Sequence, residues 1–276
     1  MQLQDILRLY EEGFRDFKGL SLAGIDFGAR ILVDVNFSNS DLTGANFGRT
    51  FLTDANFTKA NLTQANFRFA KLSGACFAAA VLTKASLQGA FGVRADMTKV
   101  SASGANMSHA NLRDANLKEA NFSGVNFTGA NLRNADLSSA NLAWTTMKGV
   151  RLVGGAIAQT TLTGTDLSQA HLNGLNFDGM SLSGIDFSEA HLRGASFQRA
   201  DLTAASFREA NLENSSFKWA QLAGADFEHA HLDRARFAQA DLRRVDLNQD
   251  NWLEADISEA YRQDLGLVQM RMVSAS

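Results

Sequence analysis

Residues 55–67 read ANFTKANLTQANF, one five-residue phrase said almost three times. The large apolar residues Phe57, Leu62 and Phe67 fall five apart. Each follows an Asn and, one place earlier, an Ala. Counting by fives outward, the series runs Phe17, Leu22, Phe27, Leu32, Phe37, Leu42 and on to Leu247, Trp252 and Ile257, with no insertion across 15–259. The consensus is Ala, Asn or Asp, Leu or Phe, then two mostly polar or Gly positions. A period of five suits neither regular structure. On a helix it advances about 500°, so the large residues wander round the axis. On a straight strand it is odd, so successive repeats flip faces. A bend in every repeat resolves this: a short extended piece turns Ala and Leu or Phe inward, and a tight turn re-aims the chain. Of the 22 glycines, 16 occupy the last slot of the five, where a turn needs positive φ. The chain has no proline, which suits a backbone whose N–H groups are nearly all in ladders.

A second phrase, ANLRDANLKEANF (110–122), keeps the same pattern. Together these stretches resemble the pentapeptide-repeat proteins, and the resemblance covers 15–259. It implies an all-β solenoid, a right-handed quadrilateral parallel β-helix of about twelve 20-residue coils. At ~4.8 Å per coil such a rod is roughly 58 Å long. DILRLYEEGFRDF (5–17) resembles the lead-in of cyanobacterial members, which implies a regulatory role of the kind in which one member influences heterocyst differentiation by contacting a transcriptional regulator. Other members imitate DNA and bind or protect topoisomerase, which implies an extended acidic surface.

The expected division is an N-terminal helical cap at 1–14, the β-helix at 15–259 and a C-terminal cap or tail at 260–276. Leu3, Ile6, Leu7, Tyr10 and Phe14 fall on one helical face, with Gly13 near its stop; Tyr261, Leu265, Val268 and Met272 fall on another. Open coil ends invite association unless capped. Net charge is −3, so charge alone draws the chain to neither nucleic acid nor membrane. Cys76 is the single cysteine, no 18-residue apolar run exists, and the start lacks a signal peptide's apolar core. The expectation is a cytoplasmic protein.

Phe and Leu alternate strictly from 17 to 82 and again from 177 to 242. This puts Phe on two opposite walls and Leu on the other two. FKGLSLAGIDF (17–27) echoes FDGMSLSGIDF (177–187), with Leu20, Ile25, Met180 and Ile185 in the Ala slot. Between the regular blocks, Gly92 and Ala102 occupy inward slots. Met97 and Met107 lie beside them, so a dented, repacked coil is expected rather than a loop.

No residue set converges for catalysis, and no P-loop, dinucleotide motif, cofactor site or metal set is present. Function is therefore sought on the surface. One wall carries outward apolar residues, Ile31, Val33, Phe51, Phe91 and Val93, with Phe69 at the adjacent corner. Such a stripe marks a protein partner site or a homodimer contact. A second wall is acidic: Asp166, Asp186, Asp226 and Asp246 in one column, flanked by Glu189, Glu209 and Glu228. A third carries Thr43, Thr63, Thr83, Ser103, Ser123, Thr163, Ser183 and Thr203 in one column, the array an ice-binding surface would use. The expectation from this set is a non-enzymatic interaction scaffold. A topoisomerase-directed DNA mimic and an ice-binding protein are the other readings.

Overall fold

The computed structural model describes residues 1–247 and 250–262. Inward residues from Phe17 to Leu242 are buried throughout. The residue before each pairs in parallel with the residue twenty further on: Asp16 with Asn36, Asn36 with Asn56, Asn56 with Cys76, and so to Asp241 with Tyr261. Four repeats therefore make one coil. Among the described residues the pairs are isolated bridges and no named strand forms, because each extended piece is cut short by the next turn.

One repeat shows why the consensus has its form. The Phe37 N–H donates to Asn56 O (2.8 Å) and the Asn39 N–H to Thr58 O (2.9 Å) in the coil above. The Asn36 N–H donates to Arg15 O (2.8 Å) in the coil below, and the Ser40 N–H closes the turn on Phe37 O (3.2 Å). The remaining donor, the Ser38 N–H, goes to the Asn36 side-chain oxygen (3.0 Å). All five consecutive N–H groups are thus used, which is what burial of a backbone demands. The Asn or Asp slot serves the one donor that no neighbouring coil reaches, by an Asx turn. Its amide also donates down the column, as from Asn66 to Asn46 (2.8 Å).

The last slot has positive φ at all positions from Gly19 to Arg244, glycine or not. With the closing hydrogen bond this is the type II turn pattern. Most non-glycine residues here have φ near 55–61°. Glycine becomes necessary for another reason at Gly89 and Gly164. A Cβ would meet the Phe69 ring at 2.6 Å in the first case and the Trp144 ring at 2.3 Å in the second. At these two corners the ring leans along the axis over bare backbone, whereas Trp219 has Gln239 above it and turns its indole N–H to that side chain.

Inside, Phe rings stack up each wall and meet the opposite wall edge-on. Phe197 and Phe217 lie 4.9 Å apart at 3°, while Phe207 and Phe217 lie 5.6 Å apart at 85°. Each buried ring contributes roughly 2–3 kcal/mol, and the edge-on geometry suits the ring quadrupole.

The coil around Gly92 and Ala102 keeps its rungs. Gly92 N donates to Asn111 O and Ala102 N to Asn121 O, both at 2.8 Å. Met97 and Met107 are fully buried, and the Leu112 methyl comes within 3.0 Å of where a Gly92 Cβ would stand. The coil is repacked, with no bulge.

A break that the periodicity does not announce lies higher. Bridges from Ala156 to Asn176 and from Thr161 to Ser181 are missing, although Arg151–His171 and Asp166–Asp186 on the other two walls remain. Leu167 N still donates to Asp186 O (2.9 Å), and Leu152 N to His171 O (3.0 Å). Between them, the N–H groups of Asn176, Ser181 and Asp186 make no bond to the coil below. Each follows a bulky residue in the Ala slot: Leu175, Met180 and Ile185. The first coil, with Leu20, Ile25 and Arg30, is the other place where three successive Ala slots hold residues larger than Val. That coil has only the cap beneath it.

The cap is α1 (Leu3–Glu11), with Ile6 buried and Leu3, Leu7, Leu9 and Tyr10 packed against the core. Asp5 accepts from the Gln2 N–H (3.2 Å) at its start. The Tyr10 hydroxyl donates to Val33 O (3.0 Å), and the Phe14 ring meets Phe17 edge-on at 5.2 Å. At the far end Trp252 enters on a 3-10 turn (Asp250–Trp252). It packs on Phe237 (4.8 Å) and Phe227 (5.3 Å), covering the last rings of the Phe columns. The C-terminal segment with Leu265, Val268 and Met272 lies outside the described residues. No helix among those described is long and apolar enough to cross a membrane.

Candidate functional site

The ladder stacks equal slots directly above one another, so a surface feature in this fold is a column. Ile31, Phe51, Lys71 and Phe91 form one, bridged in that order. Ile31 is 64% exposed, Phe51 47% and Phe91 40%, and Phe69 at the neighbouring corner is 46% exposed. Val33 and Val93 point outward but are half-buried, and Tyr10 of α1 reaches over to the Val33 backbone. The exposed apolar surface is thus Ile31 and three Phe rings, with the valines as its margin.

Cations stand over these rings. The Lys71 ammonium is 5.3 Å from the centre of Phe91, and the guanidinium carbons of Arg49 and Arg68 are each 5.9 Å from that of Phe69. The side chains of Arg30 and Arg94 are exposed nearby. None of these five cations has a carboxylate partner among the described residues.

The acidic column is brought together in part. Asp166 and Asp186 are bridged neighbours, but Ser206 separates them from Asp226. Asp166, Asp186 and Asp226 each accept a backbone N–H two residues on, from Ser168 (2.9 Å), Ser188 (2.8 Å) and Glu228 (2.9 Å). Arg208 sits between Asp226 (3.0 Å) and Glu228. Glu189 accepts from Gln169 (3.0 Å). Glu209 and Asp246 are exposed. These aspartates are in the first place turn-forming residues, the role Asn plays in the same slot lower in the rod.

Two other columns resolve similarly. Thr43 and Thr63 fold their hydroxyls onto Asp41 (2.6 Å) and Asn61 (2.7 Å), and Ser103 bonds Ser123 (3.0 Å). The Thr43 hydroxyl holds the Asp41 carboxyl below its ordinary range. His171 and His191 stack with ring centres 4.5 Å apart at 3°. Burial, then the neighbouring His191, Arg151 and Arg133, pushes the His171 imidazole below its usual value. Among the described residues no group of three His, Cys, Asp or Glu could hold a metal ion.

Sequence reading passed over two exposed aromatics. Trp144 (φ 61°) and Trp219 (φ 60°) occupy corner slots. Arg199 stands over the Trp219 ring at 4.7 Å, and its indole N–H donates to Gln239. Both are single residues on different corners, and a bulky aromatic in the positive-φ slot was the signal available for finding them.

Comparison with known proteins agrees with this geometry. No curated protein sequence matches the chain significantly. Among solved structures, the chain is similar to HetL, a pentapeptide repeat protein involved in heterocyst differentiation regulation from the cyanobacterium Nostoc sp. strain PCC 7120. Identity is 25%, the match covers 86% of this chain and 97% of HetL, and the TM-score is 0.66. QnrB1, a plasmid-mediated fluoroquinolone resistance protein, is 17% identical over 90% of this chain and 92% of its own, with a TM-score of 0.35. The pentapeptide repeat protein Rfr23 from the cyanobacterium Cyanothece 51142 is 23% identical over 60% and 96%, with a TM-score of 0.17. The likeness to HetL implies a right-handed β-helix. Residues 21–58, 40–77, 75–114, 115–154 and 157–188 match the pentapeptide repeats (8 copies), and 194–267 match the pentapeptide repeat region. With that coverage and a 20-residue ladder, the chain belongs to the pentapeptide-repeat family.

Proposed function

We propose that this chain is a non-enzymatic interaction scaffold, regulatory in role and cytoplasmic, that binds another protein through the wall of Ile31, Phe51, Phe69 and Phe91. The observation that carries the reading is the grouping of these exposed apolar side chains in one column and its adjacent corner, interrupted by Lys71, on a rod whose other outward slots are mostly polar. Monomeric proteins rarely leave such a column bare. The likeness to HetL, itself involved in differentiation regulation, supports a regulatory role. The rod on this reading has about twelve coils and is closed at its N-terminal end by α1. Exposed rings on a rigid ladder bind with little backbone ordering cost, since the wall is already fixed.

The test is Phe51→Asp with Phe91→Asp. Both side chains face solvent, so the rod should keep its melting temperature while partner capture, or self-association if the partner is a second copy, is lost. Unchanged binding with unchanged folding would reject this wall. The topoisomerase reading draws less support, because the aspartates of the acidic column already cap turns and Arg208 offsets two carboxylates. The ice-binding reading draws least, because the Thr43 and Thr63 hydroxyls fold back onto their own repeat and those of Ser103 and Ser183 bond the next coil.

A further inference from the structure

Resting on the reading above, the geometry points to the kind of partner: we infer that the Phe51–Phe91 wall takes an acidic protein segment carrying apolar anchors. Two independent features of the wall require both halves of that description. The rings and Ile31 offer apolar area that only an apolar group can usefully cover. Around them Arg30, Arg49, Arg68, Lys71 and Arg94 are exposed, and none is neutralised by a carboxylate of the described chain. Lys71 is the most telling, because it stands within the apolar column itself, bridged between Phe51 and Phe91. The carboxylates closest in register, Asp34, Asp54 and Asp114, occupy corner slots on the far side of the wall from Arg49 and Phe69, and Asp114, one coil above Arg94, is paired with Arg113 (3.1 Å) instead.

Elsewhere on the rod the charge pattern is different. Lys99 pairs with Glu119 (3.5 Å), Lys118 with Asp136 (2.9 Å), Arg193 with Glu213 (3.1 Å) and Arg208 with Asp226 (3.0 Å). Those cations lie one coil or less from a carboxylate, so the ladder itself supplies the pair. The lower wall lacks such pairs. An incoming carboxylate beside the rings would meet cations already positioned there, and closing the apolar contact would remove water and strengthen each attraction. A single-stranded nucleic acid also likes rings beside cations. It is disfavoured here because Ile31 and the marginal valines offer no flat face for a base.

The test uses the full-length chain and three fluorescein-labelled probes: a 16-residue peptide of four Glu-Leu-Phe-Asp units, the same peptide with Lys for every acid, and a 16-nucleotide oligothymidylate. The acidic peptide is expected to bind at least tenfold more tightly than the other two. Its affinity should fall with salt, drop about tenfold in Lys71→Glu with Arg94→Glu, and vanish in Phe51→Asp with Phe91→Asp. Equal or better binding of the basic peptide or the oligonucleotide overturns the inference, as does failure of all three to bind. A photo-crosslinking residue at position 51, used in extract of the source cells with sequencing of the crosslinked segment, separates the two levels. A crosslinked protein segment without excess acid overturns the acidic inference and leaves the wall as a protein site. A native partner that still binds the Phe51→Asp, Phe91→Asp protein overturns both.

Discussion

Two coils of this rod depart from the repeat, and the backbone responds to them in opposite ways. Coil 86–105 has lost large residues at the middle of two walls, with Gly92 and Ala102 in place of Leu or Phe, yet its rungs are intact. The half-coil 156–165 keeps Ile157 and Leu162 at the middle of its two walls, both buried, yet its rungs to the coil above are missing on those walls. What differs is the inward side of the corner, the Ala slot that follows each positive-φ residue and closes the turn. The first coil and its neighbours hold Ala90, Ala95, Val100 and Ala105 there; the coil above the break holds Leu175, Met180 and Ile185. Wall-centre residues fill the core and can trade volume with one another, because Met bends and Leu112 leans. Corner residues sit where two walls turn, beside the N–H that must reach the coil below, and a larger side chain needs axial room that the rung would occupy. The ladder is thus controlled by the smallest apolar residue of the repeat.

The largest effect that would break this comparison comes from putting a bulky corner into a regular coil. Ala65→Leu should cost about 1–3 kcal/mol as overpacking and should release the Asn66 N–H from Ala45 O, now 2.9 Å away. Denaturant melts and exchange at Asn66 check both. The counterpart at a wall centre, Gly92→Ala, should change stability by less than about 1 kcal/mol, because its φ is ordinary and the atom it meets is a movable Leu112 methyl. Equal costs for the two substitutions would remove the distinction between corner and wall.

Next in size, Leu175→Ala with Met180→Ala and Ile185→Ala should close the break. One recovered rung is worth about 1 kcal/mol, so exchange at the Ser181 amide should slow at least fivefold. A smaller effect sharpens what a corner tolerates outward. Gly164→Ala should cost about 1 kcal/mol more than Gly124→Ala, since the Trp144 ring must leave its rotamer to make space, whereas Gly124 has nothing within 4 Å. Thermal melts of the pair decide it.

The smallest expected effect is electrostatic and lies just above the break. The folded pKa of His171 is depressed, so the unfolded chain takes up its proton first as pH falls. Stability present at neutral pH should decline as pH drops through the ordinary histidine range near 6.5. His171→Asn should flatten that part of the melting-temperature profile between pH 7.5 and 5, while leaving the steeper carboxylate limb at lower pH. An unchanged profile would show that the stacked pair does not sense pH.

Much of this was legible in the residues. The five-residue count gave the inward slots and a turn in every repeat, the family resemblance gave the 20-residue coil, and Gly92 with Met97 gave a repacked coil; the turn role of the Asn and Asp slot emerged only from the hydrogen bonds. The columns of exposed Phe and of Asp followed from the 20-residue register alone. Other features were hidden for physical reasons. Periodicity records which side chains point inward, but rungs form between residues twenty apart. The echo of Leu20 and Ile25 by Met180 and Ile185 was therefore visible while its effect on pairing was not. Val33 and Val93 counted as outward apolar surface because composition does not reveal that their slot is half-buried along most of the rod. The acidic column looked like a free surface because a carboxylate's hydrogen bond to its own turn leaves no trace in composition.

Residue-resolved amide hydrogen exchange on the intact chain tests the corner account most directly. The account predicts protection at Gly92, Met97 and Ala102 comparable with the coils on either side, and fast exchange at Ile157, Leu162, Asn176 and Ser181. Slow exchange at those four amides, or fast exchange around Gly92, would contradict it.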